Sequence, residues 1–103
     1  MRVIKRNTLE KYWKTYSGTQ QALRSWVVEV NKAKWPDANV MKKDYPSASV
    51  ISGKRTVFNI KGNSYRLVTD IEYKIGIIFI IWFGTHAEYD KLNVKNISYD
   101  KSN

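Results

Sequence analysis

The sequence predicts an α+β fold: an N-terminal helical hairpin packed on a small antiparallel sheet, with a short C-terminal helix after the last strand. Three observations predict it. Apolar residues recur at helical spacing between Leu9 and Ala33, the period changes to two from Arg55, and a continuous apolar stretch near the end gives way to a capping-box sequence. The 103 residues fit one domain, and 43% hydrophobic residues with 14% aromatics make a chain too apolar to stay disordered.

Each element has its own signal. Val3-Ile4 is short enough for an edge strand or the entry to a helix. Asn7 stands where an N-cap belongs, with Glu10 three residues on, the spacing of a capping box. Leu9, Tyr12, Trp13 and Tyr16 follow at helical spacing, and Ser17-Gly18 stops that helix. A second helix starts near Thr19. Its apolar residues Ala22, Leu23, Trp26, Val27, Val30 and Ala33 form one face, and Arg24, Glu29, Asn31 and Lys32 take the other. Trp35-Pro36 ends it, because a residue before proline disfavours the α region. Asp37 then caps a short helical turn through Met41, and Tyr45-Pro46 breaks it. Residues 47–54 show neither period.

Residues 56–60 and 65–71 read as a hairpin around Gly62-Asn63. With those two residues as the loop, cross-strand partners have numbers summing to 125. Phe58 then faces Leu67 and Ile60 faces Tyr65 on the core side. Asn59 opposite Arg66, Lys61 opposite Ser64 and Val57 opposite Val68 share the other side, which groups Arg66, Asn59 and Lys61 on a polar face. A one-residue slip would break this grouping. Lys74-Ile75-Gly76 turns the chain. Residues 77–83 are apolar at every position, as in a strand covered on both faces. Gly84 closes that strand. Thr85 and Glu88 form a second capping box opening a helix through Leu92, and residues 93–103 read as a flexible tail of the single domain 1–103.

Composition narrows the chemistry. There is no cysteine and one histidine, and the nine carboxylates are scattered, so neither a metal site nor a cofactor is expected. The longest apolar run, residues 75–83, is half of a membrane span, and no apolar stretch follows Met1-Arg2 to form a leader; a cytoplasmic protein without membrane contact is expected. The net charge of +9 is uneven: residues 1–66 carry +10 and the remainder −1. A basic half of that size points to a polyanion, nucleic acid or an acidic protein segment, against the plainer reading of solubility alone.

Three residue groups carry the chemical argument. His86 is the first residue of the predicted last helix, with Tyr89 and Asp90 on its side at i+3 and i+4. Its bland alternative is a surface or capping residue. Arg66 and Lys61 on the hairpin's polar face either block edge pairing or hold a phosphate whose charge grows in a transition state. Lys32, Lys34, Lys42, Lys43, Lys54 and Arg55, with Trp35 and Tyr45 between them, supply a solvated surface or a strand-binding one.

The run Val57-Phe58-Asn59-Ile60-Lys61-Gly62-Asn63-Ser64-Tyr65-Arg66, followed after a hydrophobic strand by Thr85-His86-Ala87-Glu88-Tyr89-Asp90, resembles the HigB toxin family. Trp35-Pro36 and Lys42 with Tyr45-Pro46 resemble its connecting segment. The resemblance implies a RelE-like fold and a toxin of a type II toxin–antitoxin system. It further implies an endoribonuclease that cuts mRNA in the translating ribosome and is neutralised by a HigA-type helix-turn-helix antitoxin. On that reading Arg66 stabilises the phosphate, His86 transfers a proton, and Tyr89 orients substrate or shares proton transfer. Lys54, Arg55, Asn59, Lys61, Asn63 and Lys91 would contact RNA. The alternative is a basic module that binds RNA or the ribosome without cutting.

Overall fold

A five-stranded sheet in the order β1-β5-β4-β3-β2 forms the frame. The strands are β1 (Arg2–Ile4), β2 (Ser49–Ser52), β3 (Arg55–Ile60), β4 (Tyr65–Glu72) and β5 (Ile77–Thr85). The helices are α1 (Arg6–Thr15), α2 (Gln20–Lys32), α3 (Ala38–Asp44) and α4 (His86–Asp90). The computed structural model describes residues 1–4 and 6–98. Among these, no helix is long and apolar enough to cross a membrane.

The expected hairpin register holds across β3 and β4: Arg55 pairs with Asp70, Val57 with Val68, Phe58 with Leu67, Asn59 with Arg66 and Ile60 with Tyr65. The connection is a four-residue turn, residues 61–64, closed by the Ser64 N–H donating to the Lys61 carbonyl at 3.3 Å. Lys61 and Gly62 both take positive φ there, +54° and +65°. β5 pairs antiparallel with β4, with a register shift beside Val68 and Thr69 that leaves Ile81 as the extra residue.

One expectation about the sheet is corrected, and one open stretch is resolved. It is mixed rather than antiparallel, because β1 runs parallel to β5 with Val3 opposite Ile78. A three-residue strand carries too little periodicity to announce a parallel edge. The undecided stretch contains β2, the opposite edge, paired antiparallel to β3.

One sheet face meets the helical layer. Leu9, Leu23, Trp26, Val30, Trp35 and Met41 pack there against Phe58, Leu67, Ile71, Ile78, Ile80 and Phe83, all buried. Phe58 sits at the centre of an aromatic cluster, 5.3 Å from the Trp26 ring and 5.2 Å from that of Tyr45. Trp35 and Tyr45 therefore pack in or beside the core: Trp35 is buried and its indole N–H donates to Asp44 at 2.8 Å. Asp37 caps α3 as expected, accepting from the Val40 N–H at 3.0 Å, but the helix continues to Asp44. α1 begins at Arg6, so Asn7 lies inside its first turn rather than at its cap.

The other face is covered over part of its area. Val57, Val68 and Ile81 are buried beneath Ile51, Trp82, Tyr89, Val94 and Ile97. Phe79 stays exposed, so β5 is covered on both faces over only part of its length. Residues 93–98 fall within the expected tail. Val94 and Ile97 pack on the sheet, and their carbonyls accept from the Arg55 guanidinium at 2.9 and 2.6 Å. Residues 99–103 lie outside the described residues.

Candidate active site

Strand alternation decides which side chains reach the site. Asn59, Arg66 and Gly84 are consecutive partners across three strands, so they form one row on the sheet face opposite the helical layer. That row lies at the sheet end next to the 61–64 turn. α4 follows directly from β5 and folds back over this end.

Arg66 is held in place without being neutralised. Its guanidinium donates to the Asn63 carbonyl at 3.0 Å, the Asn63 side-chain oxygen at 3.1 Å and the Tyr65 carbonyl at 3.2 Å. All three acceptors are neutral, so the full positive charge remains available to an anion. The guanidinium carbon stands 5.9 Å from the centre of the Tyr89 ring, a cation–π arrangement. Tyr89 also packs against Trp82, ring centres 6.5 Å apart. Burial pushes the Tyr89 hydroxyl above its ordinary value, and the Arg66 charge opposes that rise.

α4 is closed by the predicted capping box. The Thr85 hydroxyl accepts from the Glu88 N–H at 3.1 Å, and Glu88 Oε1 accepts from the Thr85 N–H at 2.8 Å. The His86 N–H donates to the Ser64 carbonyl at 3.0 Å, which ties the first residue of α4 to the turn that also supplies Asn63. The imidazole is open to solvent, its side chain 48% exposed, with Nε2 3.4 Å from an Asp90 carboxylate oxygen. Arg66 and Tyr89 are thus in contact, and His86 stands on the same short helix as Tyr89, tied through its backbone to the hairpin turn.

The remaining expected RNA contacts divide. Asn59 shares the Arg66 row, and Lys91 ends α4 as its exposed C-cap. Asn63 acts through Arg66, as the acceptor that aims the guanidinium. Lys61 does not join the polar sheet face. It lies beyond the end of β3, and its Nζ stands 3.0 Å from where a Cβ on Gly18 would be, towards the junction of α1 and α2. Lys54 and Arg55 are at the other end of β3, roughly 13 Å along the strand from Asn59. Lys54 pairs with Glu72 at 2.7 Å. Arg55 makes a two-oxygen contact with Asp70, 2.6 and 3.1 Å, besides the carbonyls of Val94 and Ile97. Four of its five N–H groups are thereby occupied and its charge is met by a carboxylate. Arg55 is an anchor for the C-terminal segment.

Sequence reasoning missed one participant. Tyr16, placed by its spacing on the first helix, donates its hydroxyl to Glu88 Oε1 at 2.8 Å. No local pattern joins two residues so far apart in the chain. Among the described residues, no group of three or more His, Cys, Asp or Glu is placed to hold a metal ion.

A family model described as HigB_toxin, the RelE-like toxic component of a toxin–antitoxin system, matches residues 19–92. No curated protein matches the chain. The matched stretch spans more than two thirds of the sequence and includes Arg66, His86 and Tyr89. The chain belongs to the HigB toxin family, and as the toxic component of a toxin–antitoxin system it has an antitoxin as partner.

Proposed function

We propose that this toxin is an endoribonuclease that cuts mRNA engaged on the ribosome, in the cytoplasm, and that residues 1–103 act as one toxin domain. Its partner antitoxin is of the HigA type. One observation carries the reading: an unneutralised arginine rests on the ring of Tyr89, while the helix bearing Tyr89 and His86 is bonded to the same hairpin turn.

The chemistry these residues can support is transesterification of the RNA backbone, in which the 2′-hydroxyl of a ribose attacks the phosphorus bonded to its own 3′-oxygen. A base takes the 2′-hydroxyl proton, the 2′-oxygen attacks phosphorus, and the 5′-oxygen leaves with a proton from an acid. The products are a 2′,3′-cyclic phosphate and a 5′-hydroxyl end. Charge builds on the phosphoryl oxygens during attack, and a guanidinium that keeps its proton through the reaction lowers that barrier. Two of the five Arg66 N–H groups are not engaged by the contacts to Asn63 and Tyr65 and remain as donors for a phosphate. His86, the one imidazole, is the side-chain type suited to moving protons near neutral pH, and its exposure leaves it open to substrate. Tyr89 offers a ring for orienting a base or ribose and a hydroxyl for sharing the proton transfers. Asn59 and Lys91 extend the RNA contact on either side.

The test is separate substitution of Arg66, His86 and Tyr89 by alanine, with growth arrest and mapping of message ends as readouts. Loss of cleavage in folded Arg66→Ala and His86→Ala proteins is expected. Full toxicity of both, or toxicity with no new RNA ends, would overturn the reading in favour of a basic RNA-binding module that does not cut.

A further inference from the structure

α4 has five residues, too few to be stable as an isolated helix, yet it carries two of the three central side chains. Its capping box closes the helix on itself but does not determine how the helix sits on the sheet. Two other hydrogen bonds, together with the packing of Tyr89 on Trp82, do. The His86 N–H bonds to Ser64 at one point, and the Tyr16 hydroxyl bonds to Glu88 at the other. Glu88 Oε1 thus receives two donors at 2.8 Å, one from its own cap residue and one from the helical layer.

The Tyr16 ring is itself fixed. It stands edge-on to Tyr65 at 5.7 Å and to Phe83 at 5.6 Å, and those two rings stack on each other at 5.3 Å. Its hydroxyl therefore has a position set by the core. Gly84 makes the approach feasible: a Cβ there would come within 2.8 Å of Glu88 Oε1 and 2.5 Å of the Trp82 ring.

We propose that Tyr16 is a positioning residue for the active site. Through the Glu88 carboxylate it fixes the placement of α4, and so of His86 and Tyr89, against Arg66. It touches no substrate. The inference rests on the reading of Arg66, His86 and Tyr89 as the centre.

Tyr16→Phe removes the hydroxyl and keeps the ring packing. In a reconstituted translation system the expected result is a cleavage kcat lowered about tenfold, with KM within about twofold and a thermal midpoint close to that of the unmodified protein. Glu88→Gln keeps an oxygen that both donors can reach, so it retains a larger share of kcat than Glu88→Ala. Adding Tyr16→Phe to Glu88→Ala produces no further loss. An unchanged kcat in Tyr16→Phe, a rise in KM alone, or full additivity in the double variant would overturn the inference. Amide spectra give a readout independent of the reaction: Tyr16→Phe shifts the Thr85, His86 and Tyr89 signals if α4 moves, and their constancy also overturns the inference. Cleavage that survives Arg66→Ala would instead remove the proposed centre, a result separable from the spectral one.

Discussion

Two arginines on the same hairpin show how a side chain's partners decide its role. Arg55 faces Asp70 with side-chain exposures of 12% and 14%, and its positive charge is met in full. Arg66 is oriented by carbonyl and amide oxygens alone, so orientation costs it no charge. Arg66→Lys replaces a planar fork by a point charge that cannot keep three such acceptors and still present donors outward. We expect cleavage to fall about 100-fold, with the fold intact, as measured by message-end mapping and circular dichroism. Gly84 is a second decisive position. Gly84→Ala forces Trp82 or Glu88 aside, and a loss of about 1–3 kcal/mol in urea unfolding is expected, as for other overpacked sites.

Among the elements, α4 depends on a carboxylate. The Glu88 carboxyl is held below its ordinary value of 4.5, first by the Thr85 N–H and then by the Tyr16 hydroxyl, with Lys91 adding to the effect. A depressed folded value means the stabilisation is present above pH 4.5 and is lost as pH falls through the lower folded value. Glu88→Gln removes this dependence, so the gap in thermal midpoint between the unmodified protein and the variant should narrow as pH drops below 4.5. The opposite trend would show that the carboxylate is not what holds the helix. Tyr16 is the other side of that bond: burial, then Glu88, pushes its hydroxyl up to about 12. It therefore remains a proton donor to Glu88 throughout the neutral range.

The C-terminal segment depends on Arg55 in a similar way. Arg55→Ala leaves Asp70 low in exposure and unpaired, and frees the carbonyls of Val94 and Ile97. A stability loss of about 3–5 kcal/mol is expected from denaturant titration. Because Val94 and Ile97 pack in the same small cluster as Tyr89, protection of residues 94–97 from hydrogen exchange should fall with it.

At the scale of the molecule, charge and fold make separate contributions. The +10 carried by residues 1–66 predicts RNA affinity that weakens steeply with salt. Binding measured between 50 and 200 mM salt should fall by orders of magnitude, whereas a flat profile would remove electrostatics as the source of affinity. The fold then selects which cations are free to act. Lys54 and Arg55 face carboxylates and Lys61 turns towards Gly18, whereas Arg66 is oriented by neutral oxygens beside α4 and keeps its charge.

The sequence by itself determined the hairpin register, because a glycine-containing turn and strict alternation of faces leave only one pairing that buries Phe58, Ile60 and Leu67 together. The same sum pairs Arg55 with Asp70 and puts Arg66 beside Asn59. It also determined the cap of α4, since Thr85 and Glu88 need only each other. Those are local interactions, and local interactions are written in spacing. Tertiary structure alone decided that β1 lies parallel to β5, that Arg55 grips the C-terminal segment, that Lys61 leaves the polar face and that Tyr16 reaches Glu88. Each of these joins residues far apart in the chain, where no periodicity links the partners and only the packing of sheet against helices brings them within bonding distance.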